Sequence, residues 1–421
     1  MKRNAFVGLV AAGSLSAGPV VSAVSAAAPV PSSGEENAHF ARADALVTSF
    51  MREHEIPAAS VAVAKDGRLV HARAFGHRDP AKTRPATPLD RFRIASNSKP
   101  ITAVAVMLLV ERGHCKLDDR AFDLLSDLTP PAGAHVDPRL RTITVRNLLD
   151  HSGGFDSTRT DPQFDALRVA SAALGRPSPA THVDIIRYMM GQPLAFDPGA
   201  KFLYSNLGYN ILGRVIEKVS GKPYEEFCRS EVLAPAGISR MQLGRTKAAD
   251  RLADEVQAWD DPNAPNTYSV YTDDLPPVGT SYGGFSMEAI DAHGGWLASA
   301  VDLTRFLNAV GGRHGKQVLQ PETVRTMWTR PDLAQYRNGG NYYSLGWDVV
   351  PGKVIARHNG AITWGTFSSM QRLPGNITTG VNFNRLPFDI RKAIEQFQAQ
   401  IAEAFGSISG WPQTDLYPKY A

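Results

Sequence analysis

The stretch Ile94-Ala95-Ser96-Asn97-Ser98-Lys99-Pro100 runs into Ile101-Thr102-Ala103-Val104-Ala105-Val106-Met107-Leu108-Leu109-Val110, and the rest of the chain is read outward from it. The unbroken apolar run predicts a buried helix from this point to about Arg112, where Gly113 ends it. Ser96 and Lys99 are three residues apart, so on a helix they share a face and their side chains meet. A serine hydroxyl is a poor nucleophile until a base takes its proton. A lysine stripped of water has a lowered pKa and can be that base. The first helical turn adds free backbone N–H groups and the positive end of the helix dipole. S-x-x-K by itself also describes a helix start with a surface lysine, so its partners must be found downstream.

Composition narrows the classes. The 421 residues are 43% hydrophobic, enough for a sizeable core in one large domain or two. Forty-five basic against forty-one acidic residues give +4, and no Lys/Arg-rich run or basic helix stands out, which argues against nucleic acid. The N-terminus reads as a secretory signal over residues 1–26: Lys2 and Arg3, a short apolar run from Phe6 to Val21, then small residues with cleavage near Ala26. The run is too short and too broken by glycine, serine and Pro19 to anchor in a bilayer. No later stretch is long and apolar enough to span one. An exported protein, periplasmic or extracellular, is expected. Cys115 and Cys228 are the only cysteines; export permits a disulfide, and the apolar setting of Cys228 beside Tyr224 and Phe227 favours buried free thiols. No zinc spacing is present.

Residues 27–38 read as a Pro/Ser-rich linker, 39–405 as the folded domain, and 406–421 as a tail. Two strand-like runs, Ser60-Val61-Ala62-Val63-Ala64 and Leu69 to Phe75, flank Asp66-Gly67, a hairpin signal. Between about 117 and 290 helices and loops dominate, including a periodic helix over 207–219 closed by Gly221. Strand-like runs return at 343–350, 354–357, 367–373 and 378–384, before a last helix over 390–405. The expected fold is α/β of the α+β type, an antiparallel sheet flanked by helices with a mostly helical subdomain inserted.

Two further constellations supply partners. Tyr204-Ser205-Asn206 stands just before the helix at 207, in a segment where residues i and i+2 point the same way, so a phenol and an amide enter one cleft. A neighbouring ammonium is expected to depress the Tyr204 phenol so that it relays protons. His358-Asn359-Gly360-Ala361 is expected to end the strand at 354–357. Gly360 lets a substrate or another backbone come close, and the Ala361 N–H could face the Ser96 N–H as an oxyanion hole.

Ser96-x-x-Lys99, Tyr204-x-Asn206 and His358-x-Gly360, in that order, resemble the motifs of the serine β-lactamase and penicillin-binding superfamily. The nearest branches are class C β-lactamases, DD-peptidases and family VIII esterases. The likeness extends over roughly residues 41–405 and includes 147–155, 294–306 and Leu345-Gly346-Trp347. It implies a β-lactamase/transpeptidase-like fold and an acyl-Ser96 intermediate with no metal or cofactor. Lys99 and Tyr204 would share general base and acid work, and Asn206 would bind the substrate amide or ester. Ser96 and Ala361 would supply the oxyanion hole. His358 stands where most β-lactamases have a carboxylate-binding lysine, which argues against efficient β-lactam hydrolysis. The implied substrate is a small ester or amide, a D-alanyl peptide or other peptidoglycan-like molecule, or a β-lactam. The alternative is a cell-wall-ligand or penicillin-binding protein that acylates with little turnover. The sequence carries no signal for oligomeric state.

One competing signal is Gly279-Thr280-Ser281-Tyr282-Gly283, which fits the G-x-S-x-G nucleophile elbow, with His293-Gly294-Gly295 after it. An elbow needs a strand before it and a helix after it, and neither is expected here. His151 and His293 are read as structural.

Overall fold

The computed structural model describes residues 29–260, 264, 267–271, 277–312, 316–362, 365–386 and 391–420. The expected signal segment, 1–26, lies outside them. In chain order the strands are β1 (Ser32–Gly34), β2 (Ala58–Lys65), β3 (Arg68–Gly76), β4 (Phe92–Arg93), β5 (Gln242–Leu243), β6 (Trp296–Ala298), β7 (Tyr342–Ser344), β8 (Trp347–Val350), β9 (Val354–Ile362), β10 (Thr366–Leu373) and β11 (Ile377–Phe383). Eight of them form one antiparallel sheet in the order β1-β3-β2-β11-β10-β9-β8-β7, and β4-β6-β5 form a small second sheet. The N-terminal hairpin therefore closes onto the C-terminal meander, with β2 paired to β11 from Ala59–Phe383 to Lys65–Ile377.

Asp66 and Gly67 both take positive φ, +51° and +79°, as a two-residue turn between antiparallel strands requires. The strands do not alternate buried and exposed. All eight residues of β10 and all seven of β11 are buried. Helices cover both faces, which removes the solvent side that alternation reports. On one side Phe50, from the helix Ala41–Glu53, and Phe397, from Arg391–Gly406, pack with Phe383 at ring separations of 4.7–5.4 Å. On the other lies the helix Ala300–Ala309, admitted by Gly380, where a Cβ would stand 2.7 Å from the Ala300 carbonyl oxygen.

Two segments differ from the sequence reading. The expected linker contains β1, which hydrogen-bonds along β3 because that edge offers unpaired backbone groups. The expected tail returns to the sheet as well. Leu416 N–H donates to the Leu69 carbonyl and Leu69 N–H to Asp415, while the Tyr417 hydroxyl bonds Thr304. Residues Pro31–Ala421 make one compact unit, wider than 39–405 at both ends. Both cysteines are buried free thiols. Burial pushes Cys115 up to about 11 and Cys228 further, which leaves them unreactive.

The helix Ser98–Glu111 runs through the core, with every residue from Ser98 to Leu109 buried. It lies against the helix Asn206–Ser220, whose entry is capped by the Ser205 side chain and whose exit is Gly221 at φ +69°. Asn206 is thus the first residue of that helix. No helix among the described residues is long and apolar enough to cross a membrane.

Candidate active site

Ser96 sits in a short 3-10 turn, Ala95–Asn97, that leads directly into the helix Ser98–Glu111. The preceding Ala95 has φ +46°, a left-handed conformation that an alanine adopts only under constraint. The constraint is visible. The 94–97 turn is pressed against β9 at Gly360, where a Cβ would lie 1.9 Å from the Ile94 carbonyl oxygen and 3.0 Å from the Asn97 nitrogen. Only a glycine permits that approach. The side-chain amide of Asn97 ties the turn to Ser368 of β10 at 2.8 Å.

β9 continues to Ile362, paired residue for residue with β10, so the histidine motif lies inside the strand and does not end it. The likeliest reading of local polarity missed this because the ladder partners of β9 come from outside the motif. On its other edge β9 pairs with β8 only as far as Arg357. His358 to Ala361 thus run past the Ser96 turn beyond the end of that pairing.

Lys99 is fully buried and spends its ammonium on three acceptors: Ser96 Oγ at 3.0 Å, Asn206 Oδ1 at 2.7 Å and the His293 carbonyl at 3.1 Å. Its Nζ also lies 4.7 Å from the centre of the Tyr204 ring. Loss of hydration pushes the Lys99 pKa down to about 7, against a smaller upward pull from the Asp161 carboxylate. A lysine at that value is available as a free amine at neutral pH.

The phenol of Tyr204 corrects the expectation from sequence. Burial dominates and raises its pKa well above 10, while a hydrogen bond with the Ser96 side chain pulls the other way. Tyr204 is therefore a protonated phenol at neutral pH, suited to donate and relay a proton. Its ring rests on His151 at 4.3 Å. His151 Nδ1 accepts from the Ser205 N–H, and burial followed by the Lys99 charge keeps the imidazole neutral. His151 thus holds the segment that carries Tyr204.

His358 is buried too. Its Nδ1 lies 2.7 Å from the Asn359 carbonyl, which can only accept, so Nδ1 carries the proton. Nε2 then accepts from the Tyr343 hydroxyl at 3.1 Å. Burial, helped by the Lys99 charge, lowers the ring to about 3.

The most informative residue that sequence reading missed is Asp161. Its Oδ2 accepts from Asn206 Nδ2 at 2.6 Å, so Asn206 bridges Lys99 and Asp161 with its two amide atoms. Burial lifts the Asp161 carboxyl to about 6, opposed by that hydrogen bond and by Lys99. A lone aspartate in a polar loop has no spacing to mark it. The carbonyl of His293 and the hydroxyl of Tyr343 were equally invisible, since the first is backbone and the second belongs to no motif.

Ser281 is not in an elbow. Its hydroxyl donates to Asp260 Oδ1 at 2.5 Å, its carbonyl accepts from Arg93, and turns surround it. Among the described residues no three His, Cys, Asp or Glu are grouped to hold a metal ion.

This fold, with a serine and a buried lysine at the foot of a core helix beside a glycine-bearing strand, is that of the penicillin-recognising serine hydrolases. The chain belongs to the Beta-lactamase family, which it matches over residues 43–403. It is similar to Protein flp of Staphylococcus aureus, 26% identical over 236 residues, 52% of this chain and 45% of that protein. It is also similar to Penicillin-binding protein 4* of Bacillus subtilis, 27% identical over 52% of this chain and 48% of that protein. The chain spans about half the length of these curated relatives. Among solved structures it resembles the octameric penicillin-binding protein homologue from Pyrococcus abyssi. That match has a TM-score of 0.64 at 25% identity and covers 86% of this chain and 77% of that one.

Proposed function

We propose that this protein is an exported serine hydrolase that cleaves small esters or amides through an acyl-Ser96 intermediate. The observation that carries the reading is the buried Lys99 ammonium 3.0 Å from Ser96 Oγ with its pKa drawn to about 7. Neutral Lys99 takes the Ser96 proton as Oγ bonds to the acyl carbon. The negative charge that forms on the carbonyl oxygen is met by the backbone N–H groups of Ser96 and Ala361. The proton passes through the Tyr204 phenol to the leaving oxygen or nitrogen as its bond to carbon breaks. Water then attacks the acyl-Ser96 carbonyl, gives up a proton to the same pair, and releases the acid and free Ser96. Asn206 contributes by orienting Lys99 and offers its remaining amide hydrogen to the substrate. Export to the periplasm or the exterior rests on the charged start, apolar run and small residues of segment 1–26.

Steady-state assays with p-nitrophenyl esters, nitrocefin and a D-Ala-D-Ala peptide test the reading. Turnover of any of them that disappears in Ser96→Ala is the expected result. A stoichiometric burst without turnover would instead identify a ligand-binding protein that is acylated and stalls.

A further inference from the structure

An open groove of about 450 Å³ begins at the catalytic residues and is walled by Phe202, Tyr204, Tyr336, Tyr342, Tyr343 and His358. Tyr204 is the group that hands a proton to the departing atom, so whatever leaves the acyl carbon on that side enters this groove. Aromatic rings meet around it, with Phe202 and Tyr343 at 5.7 Å and Tyr204 and Tyr343 edge-on at 6.4 Å. Such walls favour flat or apolar groups.

The polar lining points the same way. Among the described residues no lysine or arginine lines the groove, while Asp348 does. The cations nearby are already engaged. Arg357 bonds Asp348 at 2.6 Å, and Arg330 donates to the Tyr336 and Gly340 carbonyls with its guanidinium against the Tyr342 ring. Lys99 lies beneath the Tyr204 ring and is spent on its three acceptors. His358 has one ring nitrogen on the Asn359 carbonyl and the other on the Tyr343 hydroxyl, so it presents no N–H to a ligand. A carboxylate placed here would lose hydration, find no cation and face Asp348.

Resting on the acyl-Ser96 reading, we propose that this tyrosine-walled groove is the leaving-group subsite. It accepts uncharged aromatic or apolar alcohols and amines and rejects substrates that carry a carboxylate beside the scissile bond.

Two esters with one acyl group, phenyl acetate and 3-carboxyphenyl acetate, isolate the leaving group, because both form the same acetyl-Ser96. Their kcat/KM values, each divided by its own hydroxide-catalysed rate, should differ at least about tenfold in favour of phenyl acetate. Asn341, exposed at the groove rim, can carry an added cation without disturbing the core. Asn341→Lys should raise kcat/KM for the carboxylated ester about threefold or more and leave phenyl acetate unchanged. His358→Lys should compress the ratio further. A ratio below tenfold in the wild type, or a ratio that Asn341→Lys leaves untouched, overturns the subsite. Ser96→Ala separates this from the underlying reading. If it turns over both esters like the wild type, the acyl-serine mechanism has failed; if it is dead and the ratio is near one, only the subsite has.

Discussion

The Lys99 ammonium stands closer to Asn206 Oδ1, at 2.7 Å, than to the Ser96 hydroxyl it is to deprotonate, at 3.0 Å. The amide holds the cation in place, and Asp161 on the far side of the amide sets how strongly it is held. Activity that needs neutral Lys99 should rise with pH through an inflection near 7. Because Asp161 raises the Lys99 pKa, Asp161→Asn should move that inflection to lower pH. A pH–rate profile of kcat/KM on a neutral ester checks both, and an unmoved inflection would remove Asp161 from the network.

Lys99 also bears on stability. Its pKa is about 7 in the folded protein against an ordinary 10.5, so between these values the unfolded chain binds more protons. Stability from this group therefore grows as pH rises from about 7 to 10.5 and is lowest below 7. Lys99→Met removes the buried charge. It should lower kcat by about 10²–10⁴ or more and raise the melting temperature at pH 6. A variant that is both inactive and less stable at pH 6 would contradict the second half.

Tyr204 is expected to act through its hydroxyl. Tyr204→Phe keeps the ring stacked on His151 and removes the proton carrier, so kcat should fall about 10²-fold or more with little change in melting temperature. A kcat within a few-fold of the wild type would reduce Tyr204 to packing.

Gly360→Ala tests the seat of the nucleophile. The added methyl would run into the Ile94 carbonyl, so the 94–97 turn must retreat from β9. Displacement of about 1 Å at the reacting atoms is worth roughly 10² in rate. Fluorophosphonate labelling of Ser96 should slow accordingly while Ser281→Ala, whose hydroxyl is held by Asp260, should label as the wild type does. Peptide mapping that finds the adduct on Ser281 would overturn the site.

How much of this could be read from the chain depends on where the information sits. The core helix, the Asp66-Gly67 hairpin and the C-terminal meander were readable because apolar runs and turn residues are local. The three motifs were readable because each keeps its reactive groups within three residues. β1 and the returning tail were not, since their strands and loops exist only by bonding to an edge supplied by β3. The Tyr204 phenol was misjudged because a neighbouring charge shows in sequence and the depth of burial does not. Asp161 and Tyr343 become visible only when 107 residues between Lys99 and Asn206 and 15 between Tyr343 and His358 are folded away.

The pairing of β2 with β11 has a consequence for how the protein is born. The middle of the sheet joins residues 59–65 to residues 377–383, and Gly360, which seats the nucleophile, belongs to the later half. During synthesis the β2–β3 hairpin must wait, one edge open, for more than three hundred residues to appear before its neighbour exists. Contacts so distant along the chain make folding slow and leave that edge open to wrong partners. The catalytic serine is thus made early and armed last, so a chain arrested anywhere before β11 carries the nucleophile without the chemistry.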